Sequence, residues 1–579
     1  MNYIMENKCV LQSTKKEKVK KKAILFLCCF FAWSSIAFAQ KQPVTGKVVD
    51  TFGEPLIGAN VVEKGTTNGV TTDIDGGFSL TVSSNATLLF SYIGYISQEV
   101  TVTSEKTINI VLKEDLTALE EVVVVGFGAQ KKVNLTGAVG IATSKELESR
   151  PVNSATQALQ GLVPGLKITT SNGALDNNMS ISIRGTGTIG DASSGSPLIL
   201  IDGMEGDLHT VNTQDIESIS VLKDAAASSI YGSRAPFGVI LVTTKKGKAG
   251  QVAINYNNNF RIASPIGLPK SMDSYTFAVM LNESLRNNGA GAQFSNVTMQ
   301  KMLDYQAGKI SGGLDASESN PAAWFDVWSM GYANTDIYDE LYSSNVFSQE
   351  HNVSASGGTE KMNYYGSFNY LDQGGLLKIG NDGLSRYNLT GKFSGKLTDW
   401  LSIGFTSRFT RNDVWRPRTF NDSFYNYFGR QNWPNIPTYD PNGNIYAYNA
   451  VELENGGQRN VQTDQHYYQG ALIIEPVKNW ITNVELNYRI VDQQVKEVTS
   501  QAWQTGPGGA KSYRVRDSGL YNEAKKDNYF NLNIFSTYSH TFNENHNFKT
   551  MLGFQAEEMV QKYFNVFKNG LIEIGRAHV

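Results

Sequence analysis

Cysteine, charge and long apolar runs are all scarce in this sequence, and each scarcity excludes a class of protein. The 579-residue chain has three cysteines, Cys9, Cys28 and Cys29, all within its first 30 residues. That region, "KKEKVKKKAILFLCCFFAWSSIAFAQ", runs from a basic stretch through an apolar core to Ala37-Phe38-Ala39. It reads as a secretory signal cut between Ala39 and Gln40. The clean apolar run, Ala23 to Trp33, is shorter than the roughly 20 residues of a spanning helix. Leu27 before Cys28 is not the small residue that a lipoprotein signal uses. Once residues 1–39 are removed, no cysteine remains, which excludes disulfides, thiol chemistry and thiolate metal sites. Seven Lys and two Glu leave with them, taking the net charge from −3 to −8.

Charged residues make up 18% of the chain, below the roughly 25% of soluble proteins. The acidic balance leaves no electrostatic footprint for nucleic acid. After Gln40 no apolar stretch reaches about 18 residues, so no helix is expected to span a membrane. Only a β-barrel could then cross one, because every backbone polar group must be paired inside lipid. Catalytic signatures are missing as well. The six histidines form no HExxH, and no GxSxG appears. Glu557-Glu558 lie in a strand-like pattern, where neighbours point to opposite faces. Neither an enzyme nor a cofactor is expected.

What is present is alternation. In "RYNLTGKFSGKL" (386–397), Tyr387, Leu389, Gly391, Phe393, Gly395 and Leu397 share one face. Asn388, Thr390, Lys392, Ser394 and Lys396 share the other. A turn at Thr398-Asp399 leads into "WLSIGFTSRFT", which repeats the pattern. Apolar-out, polar-in strands of about ten residues joined by tight turns are the mark of a membrane barrel. One face of a soluble sandwich alternates in the same way. Three features favour the barrel. Lys392, Lys396 and Arg408 sit on the polar face; Tyr387, Trp400, Phe409 and Trp480 are expected at strand ends, as in an interface girdle; and the pattern recurs about nine times. The strands are expected at 251–261, 347–357, 361–372, 386–397, 400–410, 467–476, 480–490, 529–540 and 547–559. Polar inserts at 265–345 and 412–463 read as extracellular loops.

Two other modules precede these strands. In residues 40–114, short β-rich runs broken by "FGEP", "TTNG" and "DIDGG" predict a β-sandwich. "TDIDGGF" hints at a calcium loop through Asp73 and Asp75, but further ligands and a terminal Glu are missing, so a turn before a strand is expected. In residues 131–248, helix-like and strand-like runs alternate. Asp224 suits an N-cap and Gly232 a helix stop. "GTGTIG" (185–190) runs into a loop, not a helix, and is a weak match to a dinucleotide fingerprint. Between the modules lies a linker, 115–130, holding "EEVVVVGFG". Its valines favour extended backbone, yet its flanks offer no obvious hairpin partner.

The order of these segments carries a resemblance. The signal, the sandwich, the valine-rich run, "IRGTGT", "PLILIDG", "DIESISVLKDAAASSIYGSR…GVILVTTKKG" and the barrel hairpins resemble the SusC/RagA family of TonB-linked outer-membrane transporters. The likeness extends from residue 44 to about 570 and is most specific from Asp215 to Gly247. Pro236-Phe237 departs from the small or polar residues common there. The resemblance implies a fold that is mainly β. It has a carboxypeptidase-regulatory-like sandwich (40–114), a small α/β plug (131–248) and an incomplete antiparallel transmembrane barrel forming an open curved sheet (249–572).

The resemblance also implies plug-motif roles for Arg184, Gly185, Asp202, Gly203, Lys223, Asp224, Tyr231, Gly232, Arg234 and Gly238. It implies a TonB box at Glu120, Glu121, Val122, Val123, Val124 and Val125, with swivel glycines Gly126 and Gly128. The implied function is import of a glycan or peptide fragment across the outer membrane. TonB, with ExbB and ExbD, would supply energy, and a SusD-like lipoprotein would lid the mouth. An extended β-branched run can add to another protein's sheet edge, although an ordinary strand remains the alternative. A receptor or adhesin without transport is a second reading, and it needs neither plug nor box. An outer-membrane hydrolase is a third.

Substrate contacts are not readable from the sequence. Trp324, Trp328, Tyr425, Tyr427 and Trp433 could stack on sugars or pack within loops. Finally, "EIGRAHV" (573–579) breaks the barrel pattern. The codons GAG ATC GGA AGA GCA CAC GTC, a common sequencing-adapter string, spell it, so a translated adapter is expected there. Plugged outer-membrane transporters have about 22 strands, so about nine predict a fragment unable to insert or transport alone.

Overall fold

A computed structural model describes residues 41–570 apart from 52, 67, 84, 93–94, 103–106, 114–121, 126–127, 132–137, 171–172, 186–194, 422–423, 425–431 and 543–545. The signal and its cleavage site Ala39/Gln40, Glu120, Glu121, Gly126, Tyr425, Tyr427 and the 573–579 tail lie outside the described residues. The chain divides into two units, the N-terminal module and the module that holds the plug and the large sheet.

In the N-terminal module two sheets face each other. Strand Lys41–Val49 lies between Gly77–Ser83 and Ile110–Val111. The second sheet runs in the order Gly69–Thr71, Asn60–Glu63, Thr87–Ser91, Gln98–Thr101. Alternate residues Phe78, Leu80 and Val82 are buried, as are Leu88 and Phe90. Phe78 meets Phe90 edge-on at 5.4 Å, a geometry aromatic quadrupoles favour. Asp73 is a turn residue. Its carboxylate accepts from the Asp75 and Gly77 amides at 3.0 and 2.7 Å, an Asx turn that launches the strand from Gly77.

The valine run does have a local partner. Val122–Val125 forms a two-stranded ribbon with Gly128–Lys131, which the reading of its flanks missed.

The plug centres on a five-stranded sheet in the order Val139–Thr143, Ile216–Leu222, Val239–Thr244, Leu198–Ile201, Met204–Glu205. Val239–Thr244 pairs parallel with Leu198–Ile201 and antiparallel with Ile216–Leu222. Val239–Thr244, buried at nearly every residue, reads as a continuous apolar run rather than an alternation. The sheet's core includes Leu147, Leu159, Ile219, Val221, Ile240 and Val242.

The large sheet has nine antiparallel strands, each paired with its sequence neighbours. They are Gly250–Ala263, Val346–Gly358, Met362–Gly374, Gly383–Lys396, Leu401–Pro417, Gln458–Val477, Trp480–Thr499, Gly519–Phe542 and His546–Asn569. Among the described residues the first and last strands do not pair, so the sheet is an open, barrel-like wall. Each expected strand is present, but all nine are longer than the roughly ten residues that lipid requires. Consequently Tyr387 and Phe409 fall inside strands, paired with Tyr370 and Leu389, not at their ends. Trp400 and Trp480 do lie at turns. The second long insert begins at 418 rather than 412, because the flanking strands continue to Pro417 and restart at Gln458.

The sheet is inside-out relative to a soluble protein. Asn352, Asn369, Asn388, Thr410, Asn487 and Asn531 are buried, while Phe368, Leu389, Phe393, Phe405 and Leu486 are exposed. Short connections at 359–361, 397–400 and 478–479 mark one end, and the long inserts mark the other. Barrels of this kind place short turns in the periplasm and long loops outside. No helix among the described residues is long and apolar enough to cross a membrane.

Candidate functional site: the plug against the barrel wall

The plug packs on the polar face of the sheet, and their contacts begin at a tight hairpin. Asp202 and Gly203 both have positive φ, 51° and 85°, with Ile201 opposite Met204. This is the Asp-Gly signature of a type I′ turn. The turn aims Asp202 at the wall, where its Oδ2 lies 2.9 Å from Lys392 Nζ. Thr244 adds donations from its amide (2.9 Å) and its hydroxyl (2.7 Å). Burial alone would raise the Asp202 carboxyl. The Lys392 ammonium and Arg408 guanidinium, with the Thr244 hydrogen bonds, outweigh it and hold the carboxyl at about 2. Gln469 donates to the Asp202 carbonyl at 2.9 Å.

A second buried carboxylate, Asp215, has hydroxyl partners. It accepts from Tyr365 and Ser367 at 2.8 Å each and from Thr390 at 3.0 Å. Higher on the wall, Arg386 donates to the His209 carbonyl at 2.7 Å and to that of Asn153. Asn388 donates to Thr210 O at 2.8 Å. Toward the last strand, Arg234 pairs with Glu205 at 2.5 Å and with Glu557. Side chains of the wall thus meet backbone carbonyls of the plug as well as its side chains, so positioning depends on the plug's fold.

The remaining expected plug residues keep that fold in shape. Asp224 caps helix Ala225–Ser228 through the Ala227 amide (2.8 Å) and holds the Ala138 amide (2.7 Å). These two bonds keep its carboxyl below the usual range. Lys223 donates its amide to Ala138 O, and Arg184, at φ 56°, donates its amide to Gly165 O. Arg184 and Gly185 are exposed. Tyr231 packs half-buried beside Leu222 and Leu241. Gly232, at φ 57° and ψ −139°, breaks the helical path after Tyr231. Gly238 is required by space as well as by its φ of 94°, since a Cβ there would lie 2.7 Å from Leu222 O. Of the expected set, Asp202 and Arg234 bond the wall directly. Glu205, Asp215, Arg386 and Arg489, which donates to Glu205 O at 3.0 Å, were not among the expected site residues; the polar face of the alternating strands was the available signal for the wall residues.

At the long-loop end, a cavity of about 630 Å³ separates the plug from the wall. Plug segments around Asn153 and 173–179 form its floor, and inward residues of five strands form its side. The three described candidate stacking residues are elsewhere. Trp324 is buried with Nε1 donating to Thr505 O, and Trp433 packs among Phe277 and Phe294. Trp328 stands half-exposed beside Trp433.

Comparison with known proteins agrees with this architecture. The model of the CarboxypepD_reg-like domain matches residues 44–124, and that of the TonB-dependent Receptor Plug Domain matches residues 131–239. TonB-dependent receptor P39 of Formosa agariphila is 30% identical over 96% of this chain and 51% of its own length. TonB-dependent receptor SusC of Bacteroides thetaiotaomicron is 33% identical over 76% of this chain and 44% of its own. This is a SusC/RagA-like TonB-dependent receptor chain. The SusC/RagA-like chain spans about half the length of the curated relatives it matches. Its fold superposes on the solved RagAB peptide importer in the open-open state with TM-score 0.61 at 23% identity, covering 78% of this chain and 50% of that one. The relatives are named as receptors, not enzymes, and the wall is that of an outer-membrane barrel.

Proposed function

We propose that the chain serves TonB-dependent active import of a nutrient, a glycan or peptide fragment, across the Gram-negative outer membrane. The observation that carries this is the plug seated on a lipid-facing wall by buried polar bonds. A receptor that only bound at the surface would need no such obstruction in its lumen. In this reading TonB, with ExbB and ExbD, grips Glu120–Val125 from the periplasm and draws on the plug. Val122–Val125 is extended, which suits addition to another sheet's edge. Its ribbon partner Gly128–Lys131 implies that TonB either adds on the free edge or displaces that strand. A SusD-like surface lipoprotein lids the long-loop end, and cargo rests in the chamber between plug and wall. The name of one relative, TonB-dependent receptor SusC, and that of a solved structure with the same fold, the RagAB peptide importer, support TonB dependence and import as the mode.

The test is deletion of residues 120–125 in a membrane-inserted version of the protein that carries a closed barrel. Surface level and cargo binding should persist while energised uptake is lost. Uptake that survives the deletion refutes energised transport and leaves the surface receptor.

A further inference from the structure

A histidine of the plug fastens the floor of the chamber to the plug's own body. Segment 173–179 lies in the loop between strands Leu166–Thr169 and Ser180–Ile183, which pair antiparallel with each other. Toward the wall, Leu175 packs beside Leu371, Leu384 and Val414, and Asp176 meets Arg416 at 2.9 Å. Toward the plug, the Met179 amide donates to His209 Nε2 at 2.7 Å. His209 belongs to the short 3-10 helix Leu208–Thr210, whose N-cap is Asp207. The Asp207 carboxylate accepts from the His209 amide and faces its Nδ1, both at 2.9 Å.

These partners fix the proton on the ring. A carboxylate only accepts, and a backbone N–H only donates. Nδ1 therefore carries the hydrogen and Nε2 offers its lone pair, an assignment that follows from the partners. The bond to Met179 exists only while the imidazole is neutral. A second proton, on Nε2, would set two N–H groups facing each other across 2.7 Å, and Met179 would have to move. Asp207 already stands in place as counter-ion to the imidazolium.

The other charged groups around the ring do not compete for this role. Among the described residues they are Arg386, which donates to the His209 carbonyl at 2.7 Å, Asp176 with its partner Arg416, and Arg459, which also lines the chamber. Helix Ala155–Leu159, packed on the same turn, carries no charge. Arginine stays protonated, and ordinary carboxylates titrate near about 4. Imidazole is the side chain that changes charge between about pH 5 and 8.

We infer that His209 positions the chamber floor only as the neutral imidazole, so that segment 173–179 is clasped to the plug near pH 8 and let go toward pH 5. The inference goes beyond import and holds whatever the cargo, because it concerns the plug's own bonds.

The test is hydrogen exchange, read as protection against pH, in the solubilised protein with a closed barrel. Protection of the Met179 amide and its segment should fall about tenfold between about pH 8 and 5, the scale of one lost hydrogen bond. Residues 198–206 should keep their protection over that range. His209→Gln retains an acceptor that does not titrate there, so its protection should not vary with pH. Asp207→Asn retains the ring and removes the counter-ion, so the decline should move to lower pH. Flat protection in the unmutated protein, the same decline in His209→Gln, or an unmoved decline in Asp207→Asn overturns the inference. A His209→Gln segment left unprotected at every pH supports His209 as the clasp, and Asp207→Asn then decides the pH dependence.

Discussion

Lys392 Nζ and Asp202 Oδ2 lie 2.9 Å apart, with side chains only 8% and 11% exposed. One belongs to the barrel wall and the other to the tip of a plug hairpin, so the pair joins the two across 190 residues of sequence. Buried pairs of this kind do not stabilise by attraction alone, because both charges lose their hydration. Their effect is asymmetric, and that asymmetry can be measured.

Lys392→Met should leave Asp202 buried with only Thr244 and the Arg408 charge to compensate it. Removing one partner of a buried pair costs about 3–5 kcal/mol, and the plug should lose that much seating energy. The double change Asp202→Asn with Lys392→Met should recover most of the loss. The readout is the urea concentration at which tryptic sites in the plug become cleavable in the solubilised protein. Equal loss in the single and double variants would contradict a coupled pair.

Acid should act on the same contact in a defined window. The Asp202 carboxyl is held at about 2, below the roughly 3.9 of an unfolded chain. A depressed carboxylate stabilises fully above its unfolded value, and the contribution fades as pH falls through the folded one. Plug protection against hydrogen exchange at 198–206 should therefore be flat from pH 7 to about 4 and decline toward about 2. The decline should be absent from Asp202→Asn. A midpoint near pH 6, or the same decline in the Asp202→Asn variant, removes Asp202 from the explanation.

Much of the fold was legible because it is written in local pattern. The alternation from Arg386 to Leu397 identified both faces, and Asp224 announced its helix by type and position. Strand ends were not legible, because polar strands that continue beyond lipid lose the apolar signal; Tyr387 and Phe409 were misplaced for that reason. Nor could local sequence reveal that Gly128–Lys131 would pair with the valine run, since GAQK has little β propensity. The plug–wall contacts were the least visible. Asp215 and Tyr365 are 150 residues apart, and only the register of several strands brings them together.

The two faces of one strand should respond oppositely to substitution. Leu389 is exposed on the apolar face near the middle of its strand, and Leu389→Arg should cost about 2–4 kcal/mol of membrane stability. Its neighbour Asn388 is buried, donating to Thr210 O at 2.8 Å and Thr410 Oγ1 at 2.9 Å. Asn388→Ala should leave insertion intact and make the plug more open to protease, by about 1–3 kcal/mol for the orphaned acceptors. Heat-modifiable mobility separates the two effects. A variant at 388 that blocks insertion, with a silent one at 389, would reverse the assignment of faces.

Asp215 offers the sharper test of how plug and wall recognise each other. Tyr365, Ser367 and Thr390 all donate to its carboxylate, and all four residues are buried. Asp215→Leu should leave three hydroxyls without their acceptor, at about 1–3 kcal/mol for each group left unsatisfied. The triple change Tyr365→Phe, Ser367→Ala, Thr390→Val should be as harmful, since it strands a buried carboxylate. If the hydroxyls serve that carboxylate, combining both sets should cost less than the two losses added, because each removes what the other leaves unpaired. Plug protection against protease, compared across the four proteins, gives the coupling energy directly. Strict additivity would mean that the hydroxyls and the carboxylate are satisfied independently, and that the plug is seated by shape and the Lys392 and Arg386 contacts instead.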